Sequence, residues 1–385
     1  DWLWSPHGSF RSSYSALKFP LLKDSLFKSG NFLETETVGS EQPIDLLQTS
    51  GTSGHAKFVA HSLRNHLLNA RSSSKIIPVN EEDAWLLSLP LHHIAGVAIL
   101  YRCFEAAARV VVVDNKEQWL EPVRSGKVTH LSLVNAQLFD LLAAQNSISK
   151  RLETVLLGGS AISADLLEKA TNNNLHCFTS YGMTEASSQI YTVDHDIRRD
   201  TCRQDRGDSQ ACHLLAGRVL SCVDISLDDQ QQILIKGDSV AMGYWQNGRI
   251  FNFLDKDGWF ATGDTGQLYN GHLNVIGRCD NVFVCNGENL QPEKIEQALY
   301  RHPDIRHVLV VPIDDLRAGK VPVAFVDWKI KPGERFEKWL QSNVDGLQRP
   351  RVILPWRDVV SKNNKIDRKE SALIAQKLIH KSLSE

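Results

Sequence analysis

The sequence predicts an α/β fold: a large N-terminal domain with mostly parallel sheets plus a small β subdomain, followed by a smaller α+β C-terminal lid domain. Three observations predict it. Short apolar runs alternate with helical patterns up to about residue 170, which is how parallel strands joined by crossover helices read. Between Val219 and Ile276 the pattern changes to short strands separated by turns. After about residue 279 a second strand-and-helix module begins, so the domains are expected at 1–278 and 279–385. A chain of 385 residues exceeds the usual size of one compact domain,.

Taken in order, residues 1–43 show no period and read as loop and short elements. Leu86–Leu91 is a buried run, and Val110–Val113 is a strand covered on both faces,. His130–Val134 and Val155–Leu157 are further strands. Ala136–Ala144 and Ala164–Ala170 are helices, the latter capped by Ser163,. The polar stretch from about 195 to 215 is a surface loop. Strands follow at Val223–Leu227, Gln232–Lys236, Leu268–Tyr269 and His272–Ile276, the last two joined by the hairpin signal Asn270-Gly271,. In the second module Pro292 stands at a first helical position before Ile295, Ala298 and Leu299,. Ile305–Ile313 and Val321–Trp328 are strands, and Phe336–Val344 and Glu370–Leu383 are helices.

Composition excludes several roles. Hydrophobic residues are 42% and charged residues 23%, as in ordinary soluble domains,. A formal net charge of -2 creates no field to gather nucleic acid or anionic lipid,. No apolar run reaches the length of a membrane span,. The seven cysteines are odd in number and form no C-x-x-C, which argues against a disulfide framework or zinc site and for a reducing cytoplasm,. The opening Asp1-Trp2-Leu3-Trp4 lacks the basic and apolar regions of a secretory signal,.

The strongest local signal is Thr49-Ser50-Gly51-Thr52-Ser53-Gly54-His55-Ala56-Lys57. Small residues let backbone N–H groups approach phosphate oxygens, the hydroxyls add donors, and Lys57 adds charge. A flexible linker rarely ends in a Lys followed by an apolar segment such as Phe58-Val59-Ala60. A Walker A loop is excluded, because that register puts Ala56 at the second Gly and Phe58 at the hydroxyl position,.

This nonapeptide resembles the phosphate loop of the adenylate-forming (AMP-binding) superfamily, with Ala56 where Pro is usual. Further segments resemble the family's motifs in the family's order: Leu89-Pro90-Leu91-His92-His93-Ile94-Ala95-Gly96, Tyr181-Gly182-Met183-Thr184-Glu185, Phe260-Ala261-Thr262-Gly263-Asp264, Gly277-Arg278-Cys279-Asp280-Asn281 and Lys365-Ile366-Asp367-Arg368. The resemblance covers the chain from about residue 45 onward.

The resemblance implies roles. Thr49, Ser50, Gly51, Thr52, Ser53, Gly54 and Lys57 hold the phosphates of ATP, and Tyr181 lies along the adenine with Gly182, Gly159 and Ser160 nearby. Thr184 binds a phosphate and Glu185 holds Mg²⁺. Asp264 takes the ribose hydroxyls, Arg278 reaches the nucleotide and Lys365 is the catalytic cation. Asp280 is the hinge about which the lid turns, and Gly287 borders the CoA tunnel. His93 and Gly158 line the acyl pocket, with His93 open to a part in adenylation or in structure alone.

The segments Trp85–Leu91, Leu156–Ile162 and Glu288–Glu293 look like those of o-succinylbenzoate–CoA ligases of menaquinone biosynthesis. That acid carries a second, unreactive carboxylate. Arg102 reads equally as its anchor or as a helix-surface residue. The expected partners are small molecules (o-succinylbenzoate, ATP and CoA), and oligomeric state is not legible. Only 48 residues precede the phosphate loop, where the family carries a whole subdomain, so the N-terminal domain is expected to lack its first subdomain. A ligase for another aryl or fatty acid, and a truncated nucleotide-binding fragment without catalysis, stand as alternatives.

Overall fold

Strand periodicity and two covered faces build the first half of the molecule. The computed structural model describes residues 14–18, 40–49, 57–144, 147–159, 162, 164–195, 217–269, 271–330, 333, 335–362 and 365–384. The chain divides into two compact units. The first comprises residues 1–226, 234–261 and 268–273, and the second 227–233, 262–267 and 274–385.

The first unit's strands are β1 (Tyr14–Lys18), β2 (Pro43–Thr49), β3 (Lys57–Ser62), β4 (Ala84–Leu86), β5 (Arg109–Val113), β6 (His130–Leu133), β7 (Thr154–Leu157), β8 (Cys177–Met183), β9 (Ser188–Asp194) and β10 (Gly217–Val219). An eight-stranded sheet runs β1–β5–β4–β6–β7–β8–β9–β10. Its inner strands β5, β4, β6, β7 and β8 are parallel. Its outer strands β1, β9 and β10 pair antiparallel. The helices are α1 (Leu63–Ser74), α2 (Ile94–Ala106), α3 (Leu120–Arg124), α4 (Asn135–Ala143) and α5 (Ala164–Asn172).

Alternation along each inner strand sends neighbours to opposite faces. Ala84, Leu86, Val111, Val155, Leu157 and Cys177 join one core with Leu138 and Leu141 of α4 and Leu167 of α5. Trp85, Val110, Leu156 and Phe178 join another with Ile99 and Cys103 of α2. Both faces are covered, as the valine run predicts, and Trp85 and Phe178 are almost fully buried.

Short strands β11 (Asp224–Leu227), β12 (Gln232–Lys236), β15 (Phe260–Tyr269) and β16 (His272–Arg278) form the small β sheet. β15 begins eight residues before the expected Leu268, so the Thr262-Gly263-Asp264 motif is strand. The predicted caps and loops at Ser163, 196–216 and Asn270 lie outside the described residues. Strands β13 (Gly243–Gln246) and β14 (Arg249–Phe251) extend the β2–β3 pair into a second sheet, β14–β13–β3–β2.

In the second unit β17 (Phe283–Cys285), β18 (Glu288–Leu290), β19 (Ile305–Asp315), β20 (Gly319–Trp328) and β21 (Ile353–Pro355) form one sheet. Helix α6 (Pro292–Leu299) starts on Pro292 as expected, and buries Ile295 and Leu299. Helix α7 (Arg335–Asn343), the hairpin β22 (Ser361–Lys362) and β23 (Lys365–Ile366), and helix α8 (Arg368–Ser384) complete it. Ile295, Leu299 and Ala375 share one core with Val310, Val323 and Phe325. Among the described residues no helix is long and apolar enough to cross a membrane.

Because Phe178 is 1% exposed at the centre of its core, Phe178→Ala is expected to lower the stability of the first unit by about 3–5 kcal/mol, measured by urea unfolding. A loss below about 1 kcal/mol would show that this face is not packed as described.

Candidate active site

In open α/β sheets, ligands gather beyond the carboxyl ends of the parallel strands. The motif residues stand there in the first unit. Strand β4 leads into Leu87–His93, β7 into Gly158 and Gly159, and β8 carries Tyr181 and Gly182 before Thr184 and Glu185. His93 is the N-cap of α2, with its ring 4.3 Å from that of His92. Gly182 is required by close approach: a Cβ there would lie 1.8 Å from the Ser188 carbonyl oxygen.

The predicted phosphate loop is the connection of the β2–β3 hairpin, whose last pair is Thr49 with Lys57. Ser50, Gly51, Thr52, Ser53 and Gly54 lie outside the described residues, as does Ser160. On the other side of β3, β13 pairs Tyr244 with Val59. This brings Tyr244, which sequence reasoning missed, between two predicted site residues. Its ring faces Lys57 Nζ at 4.7 Å, and its hydroxyl donates to Glu185 Oε1 at 3.0 Å. Glu185 is half-buried and the partner of its carboxylate is a neutral phenol. A hard cation held by oxygen ligands fits such a group.

The turn that carries Thr184 and Glu185 is strained. Ser187 and Ser188 both have positive φ, 55° and 115°, a conformation that costs non-glycine residues about 1–3 kcal/mol each and persists only where the surroundings impose it. They do. Asn69 of α1 donates to the Ala186 and Gln189 carbonyls at 3.1 and 2.8 Å. Ser187 Oγ donates to the Ser239 carbonyl, and the Ala241 N–H to the Glu185 carbonyl, each at 2.8 Å. His61 Nε2 lies 2.7 Å from the Thr184 carbonyl. Its Nδ1 lies 2.7 Å from Asp45 Oδ1, and His66 Nε2 lies 2.7 Å from Asp45 Oδ2.

Asp45, His61 and His66 offer three metal-type ligand atoms within 4.8 Å of one another. The 2.7 Å separations are hydrogen-bond lengths, whereas ligands about 2.0 Å from one zinc stand roughly 3.3 Å apart at tetrahedral angles. The trio is therefore a proton-linked network. Burial raises the Asp45 carboxyl, but the hydrogen bonds and charge of His61 and His66 outweigh it and hold the group at about 2.

Arg102 is 2% exposed, which overturns the helix-surface alternative. Its Nε donates to Ser73 Oγ at 3.1 Å, and its Nη2 to Gln189 Oε1 at 2.6 Å and Ser188 Oγ at 3.4 Å. The guanidinium lies 5.5 Å from the Trp85 ring, and burial pushes its pKa down to about 10. All these partners are neutral.

In the second unit Arg278 gathers the predicted ribose and hinge residues. Its Nη1 donates to Asp264 Oδ1 at 3.0 Å and to the Thr262 carbonyl at 3.1 Å, and its Nε to Asp280 Oδ1 at 3.3 Å. Gly263, at φ 74°, leaves room for the guanidinium, which a Cβ would meet at 2.7 Å. Asn286 and Gly287 form the two-residue turn of the β17–β18 hairpin, both at positive φ; the Asn-Gly pair is the signal for it. Lys365 pairs with Lys362 through the backbone, and its side chain lies outside the described atoms. Three residues on, Arg368 donates to Glu296 Oε1 at 2.6 Å and Glu293 Oε1 at 3.4 Å, which fastens the start of α8 to α6.

The AMP-binding enzyme family matches residues 11–245, and the AMP-binding enzyme C-terminal domain matches 294–364. The 2-succinylbenzoate–CoA ligase of Escherichia coli (strain K12) is 36% identical over 302 residues, 78% of this chain and 62% of that protein. The chain thus spans less than two thirds of that relative's length. Among solved structures, wild-type E. coli MenE with a bound phenylether-linked analogue of OSB-AMS is 31% identical, with a TM-score of 0.68, covering 87% of this chain and 69% of that one. The Bacillus subtilis o-succinylbenzoate coenzyme A synthetase in complex with ATP and magnesium ion is 28% identical, with a TM-score of 0.70, covering 84% and 69%.

The Asp45 network has a pH signature. A carboxyl lowered from 3.8 to about 2 on folding contributes stability that is present above pH ~4 and lost as pH falls through ~2, about 2 kcal/mol in all. Asp45→Asn is expected to remove that share at neutral pH and flatten this part of the acid limb. Equal acid dependence of the two proteins in urea unfolding at pH 2–5 would contradict it.

Proposed function

The chain belongs to the AMP-binding enzyme family, and on that premise we propose that it acts in the ATP-dependent ligation of o-succinylbenzoate to CoA through an acyl-adenylate, in menaquinone biosynthesis in the cytoplasm. One observation carries the chemical part of this reading: Lys57, Tyr244 and Glu185 meet beside Thr184 at the carboxyl edge of the parallel sheet. The 36% identity to a 2-succinylbenzoate–CoA ligase supports the acid. So do the segments Trp85–Leu91, Leu156–Ile162 and Glu288–Glu293.

A carboxylate is a poor acylating agent because its leaving group would be oxide. In the proposed first half-reaction its oxygen attacks the α-phosphorus of ATP and diphosphate leaves. Two anions must meet, so repulsion is the obstacle, and fixed positive charge aimed at the developing charge is the main catalytic effect. Lys57, the hydroxyls and N–H groups of Thr49–Gly54, and Lys365 supply it, while Thr184 donates to a phosphate oxygen. Glu185 would hold Mg²⁺, which when bound screens the charge of the phosphates. Tyr181 and Gly182 with Gly159 and Ser160 border the adenine, and Asp264 and Arg278 serve the ribose. In the second half-reaction the CoA sulfur attacks the acyl carbonyl and AMP leaves. Here the lid turns about Asp280 and brings the segment around Gly287 in place of Lys365.

His93 and Gly158 border the acyl group. The second carboxylate of the acid needs a cation, and we assign Arg102, whose protein partners are all neutral. Among the described residues no carboxylate neutralises its charge, and burying an ion without a counter-charge costs several kcal/mol,.

The test is exchange of labelled diphosphate into ATP across a panel of organic acids, with AMP release dependent on both o-succinylbenzoate and CoA. Lys365→Ala is expected to lower exchange by about 10²-fold or more and to spare CoA attack on supplied acyl-adenylate; equal loss of both half-reactions would refute the alternating lid. Arg102→Leu is expected to weaken o-succinylbenzoate binding at least ~30-fold, the low end for losing a buried charge pair, with ATP binding kept. Unchanged affinity for the acid would remove Arg102 from the pocket.

A further inference from the structure

We propose that His61, backed by Asp45, is a positioning residue that holds the Thr184 carbonyl and so sets the turn presenting Thr184 and Glu185 to magnesium-bound ATP. This deepens the functional reading above and rests on it.

Asp45 and His61 are directly opposed on β2 and β3, the strands that flank the phosphate loop. His61 is fully buried. A carbonyl oxygen only accepts, so His61 Nε2 carries the proton of its 2.7 Å contact with Thr184,. The other ring nitrogen faces the Asp45 carboxylate at 2.7 Å, which fixes the ring's orientation. His66 completes the carboxylate's shell through its own ring nitrogen and stacks on Tyr101 with ring centroids 4.4 Å apart. The chain of contacts therefore runs from the hairpin that carries the phosphate loop, through one imidazole, into the backbone of the Thr184–Glu185 turn.

The held atom matters because the turn is strained at Ser187 and Ser188. The Thr184 carbonyl already accepts the closing hydrogen bond of that turn from the Ser187 N–H at 3.1 Å. His61 takes its second lone pair. Without that donor the Thr184 carbonyl keeps only the Ser187 N–H, and the rotation this allows the peptide re-aims both the Thr184 hydroxyl and the Glu185 carboxylate. The ring does not need to touch substrate to matter. Its effect passes through two residues that the functional reading places on the phosphates and the metal.

Two substitutions separate the two ends of the ring. His61→Gln puts an amide donor near the position of Nε2, keeping the Thr184 contact and dropping Asp45. His61→Asn puts it near Nδ1, keeping Asp45 and dropping Thr184. Binding of ATP to the 385-residue chain is measured by calorimetry over a magnesium chloride series, with thermal melting of each variant. The expected result is magnesium-dependent ATP affinity within about threefold of the parent for His61→Gln and about tenfold weaker for His61→Asn, the scale of one well-placed hydrogen bond. His66→Phe, which keeps the ring stack, is expected to melt earlier with unchanged affinity. Equal affinities for the Gln and Asn variants, or a loss that follows melting temperature across all three, would overturn the positioning role. A parent chain that binds no ATP at any magnesium concentration would overturn the functional reading itself.

Discussion

Two adjacent serines held at positive φ are the constraint around which the first unit is arranged. Ser187 and Ser188 turn the chain from β8 back into β9, and neither residue type adopts that conformation without compensation. Several neighbours of the turn contribute a donor or acceptor to it, among them Asn69 from α1, His61 from β3, Ser239 and Ala241 from the segment before β13, and Tyr244 from β13 itself. The groups come from distant parts of the sequence. The strain is consequently held by tertiary packing, and the side chains it orients, Thr184 and Glu185, are those assigned to phosphate and metal. Such over-determined turns are common where a site must be shaped before its ligand arrives.

Three arginines, Arg102 buried and Arg278 and Arg368 partly exposed, show how differently one side chain type is used. Arg278 and Arg368 lie against carboxylates, Asp264 and Asp280 for the first and Glu293 and Glu296 for the second. Burial raises Glu296, and the neighbouring Arg368 acts against it. These pairs fix local geometry inside the second unit, around Asp264 and Asp280 and at the base of the Lys365 hairpin. Arg102 has hydroxyl, amide and ring partners only, and burial alone pushes its pKa down. Among the described residues its charge faces no carboxylate, which sets it apart from the other two,.

Local pattern was enough for most elements. The parallel strands β6 and β7, the start of α6 at Pro292, and the long strands β19 and β20 follow from period, β-branched composition and proline position, because each depends on residues within one short segment. Strand β15 was foreshortened to Leu268–Tyr269, since Ala261-Thr262-Gly263-Asp264 carries no apolar alternation to mark it. Strand β1 fell in a stretch without period, and its pairing with β5 is supplied from about 95 residues away.

The alternation of strand and helix patterns determined by itself that this is an α/β chain with a separate second module, and motifs resembling those of the AMP-binding family, in the family's order, pointed to Lys57, Thr184, Glu185, Asp264, Arg278 and Lys365 as candidate site residues. Only the tertiary structure decided that Arg102 is buried, that Tyr244 joins Lys57 to Glu185, and that His61 grips the Thr184 carbonyl. The physical reason is that motifs record which functional groups are present along the chain. Burial and hydrogen-bond partnership are properties of strands and helices that meet across tens to more than a hundred residues, and no local pattern encodes them,.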